Sequence, residues 1–125
     1  MADLKFTNDH ECIKVDGDTA WVGITKYAQE ALGDLVYVEL PEIGKQVKKG
    51  ENFAVVESVK TAAEIYSPVD GEVVEANDNM SSDLELITKS VNDGGWIAKI
   101  KISDPSQLEG LMDQAAYEEF LETVD

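Results

Sequence analysis

The sequence predicts a mainly β protein of short antiparallel strands, with one short internal helix and two C-terminal helices. Three observations lead there. Brief alternating or apolar runs recur through most of the chain, each stopped by Gly, Pro, Asn or Asp. Two of those runs, within the stretch from Phe53 to Ser67, are separated only by Val59, Lys60 and Thr61, which is a tight hairpin. Beyond Ser103 the period changes from two to that of a helix.

The elements follow in order. Leu4 to Thr7 reads as a short strand. Glu11 to Val15 and Thr19 to Ile24 flank Asp16-Gly17-Asp18, a hairpin signal, with Trp21 expected in the core. Thr25 caps a helix that runs to Leu32 and closes on Gly33, its apolar side formed by Ala28, Ala31 and Leu32. Leu35 to Leu40 is a strand stopped by Pro41. Lys45 to Lys49, between Gly44 and Gly50, reads as a basic turn. Phe53, Val55 and Glu57 alternate with Ala54, Val56 and Ser58 on the first strand of the central hairpin, and Ala62 to Ser67 is the second.

Ser67-Pro68-Val69-Asp70-Gly71 is turn chemistry, and Glu72 to Ala76 a further strand. Val47 to Glu51 and Val69 to Glu72 share a valine, a turn glycine and a glutamate, a hint of an internal repeat across the hairpin. Asn77 to Asp83 reads as a polar loop, Leu84 to Lys89 as a brief helix or strand, Asp93-Gly94-Gly95 as a turn and Trp96 to Ile102 as the last strand. Ser103 or Asp104 caps a helix with Pro105 at its first position, Leu108, Leu111 and Met112 facing inward. From Gln114, the residues Tyr117, Phe120, Leu121 and Val124 fall on one helical face, opposite Glu118, Glu119 and Glu122. No linker divides the 125 residues, so a single domain over 1–125 is expected.

Composition narrows the function classes. Twenty-six acidic residues against ten basic ones give a net charge of −16, which repels phosphate backbones and anionic membranes: neither nucleic acid nor membrane is an expected partner. All ten basic residues are lysines, so no bidentate guanidinium clamp exists. No apolar run approaches the roughly 20 residues needed to cross a bilayer, and the first residues lack signal or transit character. A cytoplasmic bacterial protein is expected, with an organelle matrix as the alternative. Cys12 and His10, each the single residue of its type, make neither a disulfide nor a zinc site. On a strand they would share a face, which raises a Cys-His nucleophile pair as one reading; a structural cysteine is the plainer one. Lys60 invites the same comparison. A hairpin tip is open to other proteins on several sides, but a turn lysine taken alone is simply solvated.

Longer motifs decide that comparison. The stretch VGITKYAQEALGDLVYVELPEIG (Val22 to Gly44) resembles the signature of the H proteins of the glycine cleavage system, which are lipoyl carriers. So do ESVKTA (Glu57 to Ala62), SPVDGEVVEAN (Ser67 to Asn77) and GGWIAKIKISDP (Gly94 to Pro105), and the resemblance covers nearly the whole chain. It implies a barrel-sandwich hybrid of the lipoyl-domain kind, with a lipoyl hairpin at about 53–67 and C-terminal helices at about 105–124. It implies lipoate joined by an amide to Lys60, on a non-catalytic carrier with no metal site.

The implied partners are a pyridoxal-phosphate glycine decarboxylase, a tetrahydrofolate-dependent aminomethyltransferase and a dihydrolipoamide dehydrogenase, with a lipoate ligase or an octanoyl/lipoyl transferase to load the lysine. The chain would shuttle the aminomethyl group of glycine from the first to the second and be reoxidised by the third. The positions that contact a docked arm match Asp9, Glu11 and Glu64, where carboxylates would hold the cargo amine as ammonium; the bland reading of the three is solvated surface acid. Glu64 stands where the family has aspartate, and Asp9 where it can have serine. Two further departures are Cys12, where family members usually carry tryptophan, and Ser90-Val91-Asn92, where a Pro-Tyr pair is usual. The alternative function is a relay that donates lipoyl or octanoyl groups to other enzymes. A biotin carrier is disfavoured, because its hairpin lysine is normally flanked by methionines and here Val59 and Thr61 take those places.

Overall fold

The computed structural model describes residues 3–7, 10–84, 86 and 95–123. Its strands pair antiparallel in two sheets. The larger has the order β1 (Asp3–Phe6), β2 (Glu11–Asp16), β3 (Thr19–Ile24), β9 (Trp96–Ile102), β8 (Gly71–Ala76) and β5 (Gln46–Val47). The smaller has the order β4 (Leu35–Glu39), β6 (Asn52–Ser58), β7 (Ala62–Tyr66). The inward faces of both sheets share one core that includes Ile13, Val22, Val56, Val73, Ile97 and Ile100, all fully buried. The mainly β architecture is thus the expected one.

Helix α1 (Lys26–Leu32) has the expected ends: Thr25 Oγ1 accepts from Ala28 N at 3.3 Å, and Gly33 closes the helix with φ 80°. The helix after Pro105 is a 3-10 helix, Pro105–Gly110, with Asp104 Oδ1 accepting from Ser106 N at 3.1 Å. Helix α3 (Gln114–Leu121) follows, capped by Asp113 through Ala116 N at 2.8 Å. Between them Met112 pairs with Phe6, N to O in both directions at 2.8 and 2.9 Å, which fastens the C-terminal segment to the edge of the larger sheet. A second, smaller cluster forms there from Phe6, Cys12 and Tyr117, with Phe6 and Tyr117 stacked at 4.8 Å. Val124, expected on the inner face of α3, lies outside the described residues.

Several elements differ from expectation. Trp21 is not in the main core. Its neighbours Ala20 and Val22 take the inward face, so Trp21 turns outward, half-buried, with Lys14 Nζ and Lys99 Nζ at 4.4 and 4.1 Å from the ring. Phe53 does not share a face with Val55 and Glu57: the register shifts between Asn52 and Ala54, and Phe53 and Ala54 are both buried. The basic turn contains β5, whose two residues pair with Glu72 and Gly71. The polar stretch after Asn77 contains a short helix, α2 (Asn79–Ser82), because Met80 supplies a buried anchor among polar neighbours. The segment from Leu84 retains Leu84 and Leu86 packed on the core, while 85 and 87–94 lie outside the described residues, among them Ser90-Val91-Asn92 and the first two residues of the expected turn.

The two similar stretches lie side by side. Val47 pairs with Gly71, Gly50 N donates to Ser67 O at 2.8 Å, and Lys49 N donates to Asp70 Oδ1 at 2.7 Å. That last bond, more than the lysine charges nearby, holds the Asp70 carboxyl below its ordinary range. Glycine is required at 71, where a Cβ would run into the Lys101 carbonyl across the β8–β9 pair.

Candidate functional site

The central hairpin is as short as the sequence predicts. Strand β6 ends at Ser58 and β7 begins at Ala62, leaving Val59, Lys60 and Thr61 to turn. Ser58 holds that turn. Its N–H donates to Thr61 O at 2.8 Å, its Oγ accepts from Lys60 N at 3.4 Å and Thr61 N at 3.2 Å, and its hydroxyl donates to Thr61 O at 3.1 Å. Ser58 thereby satisfies backbone groups that a turn leaves open, a role sequence reading missed although serine is a known turn former.

Lys60 stands exposed at the tip, and its Nζ makes no ion pair with a described residue. A second segment braces the tip. Val59 N donates to Asp34 O at 3.1 Å, and a Cβ at Gly33 would lie 3.6 Å from Lys60 Cε and 3.9 Å from its Nζ. Both are ordinary contact distances, so it is the positive φ of Gly33 rather than space beneath the lysine that calls for glycine.

A cleft of about 530 Å³ opens between β7, the loop before β2 and the segment around Met112. Its apolar lining includes Phe6, Leu111, Met112 and Phe120, and Glu11 contributes a carboxylate. Glu11 is only 2% exposed. Thr7 donates to its Oε1 at 2.6 Å, and Thr7 Oγ1 in turn accepts from Glu11 N at 3.1 Å. Tyr66 N donates to Oε2 at 3.4 Å, and Tyr66 reaches the other way with its hydroxyl, donating to Glu64 Oε2 at 2.9 Å.

Glu11 and Glu64 are therefore gathered on one tyrosine, Glu11 buried and Glu64 exposed, although Glu64 does not itself line the cleft. Asp9 lies outside the described residues. Tyr66 and Thr7 were not singled out in the sequence; the only signal for Tyr66 was its spacing of two from Glu64 on a strand. From Ala62 to Tyr66 the strand runs about 13 Å at the usual rise, so cleft and tip sit at opposite ends of β7.

His10 and Cys12 do not continue one strand face. His10 precedes β2 with φ 69°, which breaks the alternation. Its Nδ1 is 2.7 Å from Tyr117 Oη, which is 2.8 Å from Thr25 Oγ1, and its ring lies 4.5 Å from that of Tyr27. The Tyr117 hydroxyl joins α3 to the cap of α1, and the imidazole packs between Tyr117 and Tyr27. Cys12 is buried opposite Phe6, and burial pushes its thiol up to about 11.

Such a thiol is almost wholly protonated at neutral pH, the opposite of an activated nucleophile. At pH 8 the folded chain should react with iodoacetamide about a hundredfold more slowly than when unfolded, since thiolate is the reacting form. Because the folded state keeps its proton longer, Cys12 also makes stability fall as pH rises from about 9 towards 11. Cys12→Ser should remove that part of the alkaline loss in denaturation curves and leave the aminomethyl loading that the resemblance implies within a few-fold of the parent. Fast alkylation of the folded chain, or loss of loading in a well-folded variant, would instead give the thiol a chemical role.

Residues 4–124 match the family model described as Glycine cleavage H-protein. The chain belongs to the glycine cleavage H-protein family. The glycine cleavage system H protein of Phenylobacterium zucineum is 54% identical over 118 residues, 94% of this chain and 98% of that relative. That of Thermotoga maritima is 50% identical over 116 residues, 93% of this chain and 94% of the relative. The crystal structure of the H protein from Mycobacterium marinum aligns with a TM-score of 0.86 at 35% identity, over 96% of this chain and 97% of that one. The family, its carrier character and the lipoyl-domain-like fold thus agree with the resemblance read from Val22 to Pro105.

Proposed function

We propose that this chain is the lipoyl carrier of the glycine cleavage system and that lipoate is attached by an amide to Nζ of Lys60. One observation carries the reading: within an H-protein-family chain, the lysine of ESVKTA stands exposed at the tip of a three-residue turn, its Nζ uncommitted to any described acid. The rest of the chain fits an apolar arm ending in a polar cargo. The cleft offers Phe6, Met112 and Phe120 to a hydrocarbon stem and the Glu11 carboxylate to its end. When bound, the lipoyl group supplies a dithiolane that takes up the aminomethyl group of glycine and yields it to tetrahydrofolate chemistry.

Residues of the chain do the positioning. Ser58 fixes the turn that presents Lys60. Thr7 and Tyr66 N hold the Glu11 carboxylate so that it can receive an ammonium, and Glu64 adds a second carboxylate through Tyr66. A carboxylate stabilises the protonated form of a neighbouring amine. Asp9 is proposed as a third acid from the resemblance alone. No residue of the chain is assigned a bond-breaking step: the chain is a non-catalytic carrier, one domain over 1–125, and the decarboxylase, aminomethyltransferase and dihydrolipoamide dehydrogenase act on it after a lipoate ligase or octanoyl/lipoyl transferase has loaded it. The bacterial relatives support a cytoplasmic location. No described helix is long and apolar enough to cross a membrane.

Exchange of labelled bicarbonate into the carboxyl of glycine by the decarboxylase tests the reading. Lipoylated chain should support exchange in a saturable way, and unmodified chain should not. A lipoylated chain that fails to support exchange, yet passes its acyl group to other lipoyl-dependent enzymes, would be a relay instead.

A further inference from the structure

The molecule is strongly acidic, yet the surface beside Lys60 is apolar. Val59, Val36 and Tyr37 are 70%, 54% and 52% exposed. Val59 adjoins Lys60 in the turn and is tied by its N–H to Asp34 O, just before β4. Val36 and Tyr37 are consecutive on β4, an edge strand, and a register shift between Leu35 and Tyr37 leaves Val36 out of the pairing, so that both side chains reach solvent. Leu35 lies opposite Ser58 and Tyr37 opposite Glu57, which puts this pair at the hairpin end of the smaller sheet.

The outer face of that sheet continues in two rows. Tyr37, Glu57 and Ala62 form the row nearer the tip, and Glu39, Val55 and Glu64 the next. An exposed apolar patch framed by carboxylates has the make-up of a protein-binding surface, an apolar centre with a polar rim.

We propose that Val36, Tyr37 and Val59 form the docking surface for the enzyme that acylates Lys60, a proposal that rests on the reading of Lys60 as the attachment residue. In that reaction Nζ, as the neutral amine, bonds to the carbonyl carbon of an activated acyl group, an acyl adenylate or acyl thioester. The adenylate or thiolate leaves with its electron pair, and one Nζ proton passes to a base of the enzyme. The reacting atom is thus the lysine nitrogen itself, so the walls of the enzyme's site must close over the residues beside the turn. Enzymes that act on the far end of the finished arm reach it without covering the hairpin base. The carboxylates of Asp34, Glu39 and Glu57 define the partner further: an apolar notch that receives Tyr37, edged by lysine or arginine.

The experiment uses full-length unmodified chain, a lipoate ligase, lipoate and ATP, with initial rates followed by intact mass. Val36→Ser combined with Tyr37→Ser should raise the KM for the chain about tenfold or more, as truncation of interface anchors does, and leave kcat within about twofold. Val59→Ser should act in the same direction. All three side chains are exposed, and thermal unfolding of each variant should match the parent. After exhaustive lipoylation the double variant should support glycine–bicarbonate exchange at the parental rate. An unchanged KM overturns the proposal, and so does an equal loss in the exchange assay, which would make the patch a general contact surface. Failure of the parent itself to take up lipoate would fall on the reading of Lys60 instead.

Discussion

Lys60→Arg should take lipoate incorporation from one group per chain to none. The substitution keeps a long cation at the tip and removes the nucleophile, because a guanidinium stays protonated in proteins and cannot attack an acyl carbonyl. Folding should be untouched: the Lys60 side chain is exposed, no described acid pairs with it, and the turn is held by Ser58 through backbone groups that arginine also has. The other lysines do not substitute for it. Lys99 is bound to Glu75 at 3.1 Å and lies over the Trp21 ring, while Lys49 has its backbone N–H fixed to Asp70 beside the cleft. Lys48 is exposed but follows β5 rather than occupying a three-residue tip. Peptide mapping after exhaustive ligase treatment is the check. Lipoate found on Lys48, Lys49 or another lysine, in parent or variant, would show that the tip geometry is not what selects Lys60.

What could be read in the sequence was what depends on near neighbours. The hairpin length follows from two alternating runs, and the ends of α1 follow from Thr25 and Gly33, each a local rule. The missed features depend on distant pairing. Two residues of β5 have no period of their own and become a strand only because Gly71 and Glu72 lie opposite. Trp21 alternates correctly with Ala20 and Val22, but alternation does not say which face meets the core, and size alone pointed to the wrong one. Phe53 crosses to the inner face through a register shift that no local pattern marks. In the site, Lys60 stood out by motif, and Glu11 and Glu64 by resemblance. Tyr66, which joins those two acids, was invisible because its partner Glu11 is 55 residues away in the chain.

Glu11→Gln with Glu64→Gln should leave lipoylation unchanged and shorten the life of the aminomethyl-loaded chain. The loaded arm carries a primary amine; the oxidised arm carries no positive charge. A neutral amine can expel the neighbouring thiolate through its lone pair, whereas an ammonium cannot, so whatever holds the proton on the amine protects the cargo. Glu11 is the better placed acid. It is buried in the cleft wall, where a charge-assisted hydrogen bond is worth roughly 1.5–3 kcal/mol, or about one to two powers of ten in the docking equilibrium. Glu64 is exposed, and its contribution is screened by water, so most of the effect should appear in Glu11→Gln alone. Thr7 and Tyr66 N donate to different oxygens of Glu11, and glutamine has only one. It keeps both contacts when its oxygen accepts from Tyr66 N and its amide nitrogen donates to the Thr7 hydroxyl, which can accept, so the main change is one of charge. Ammonia and formaldehyde released by loaded protein in buffer, without the transferase, give the rate. Release about tenfold faster from Glu11→Gln, with a melting temperature close to the parent's, is the expected outcome; equal rates for parent and double variant would leave Glu11 a buried structural acid and Glu64 a surface charge.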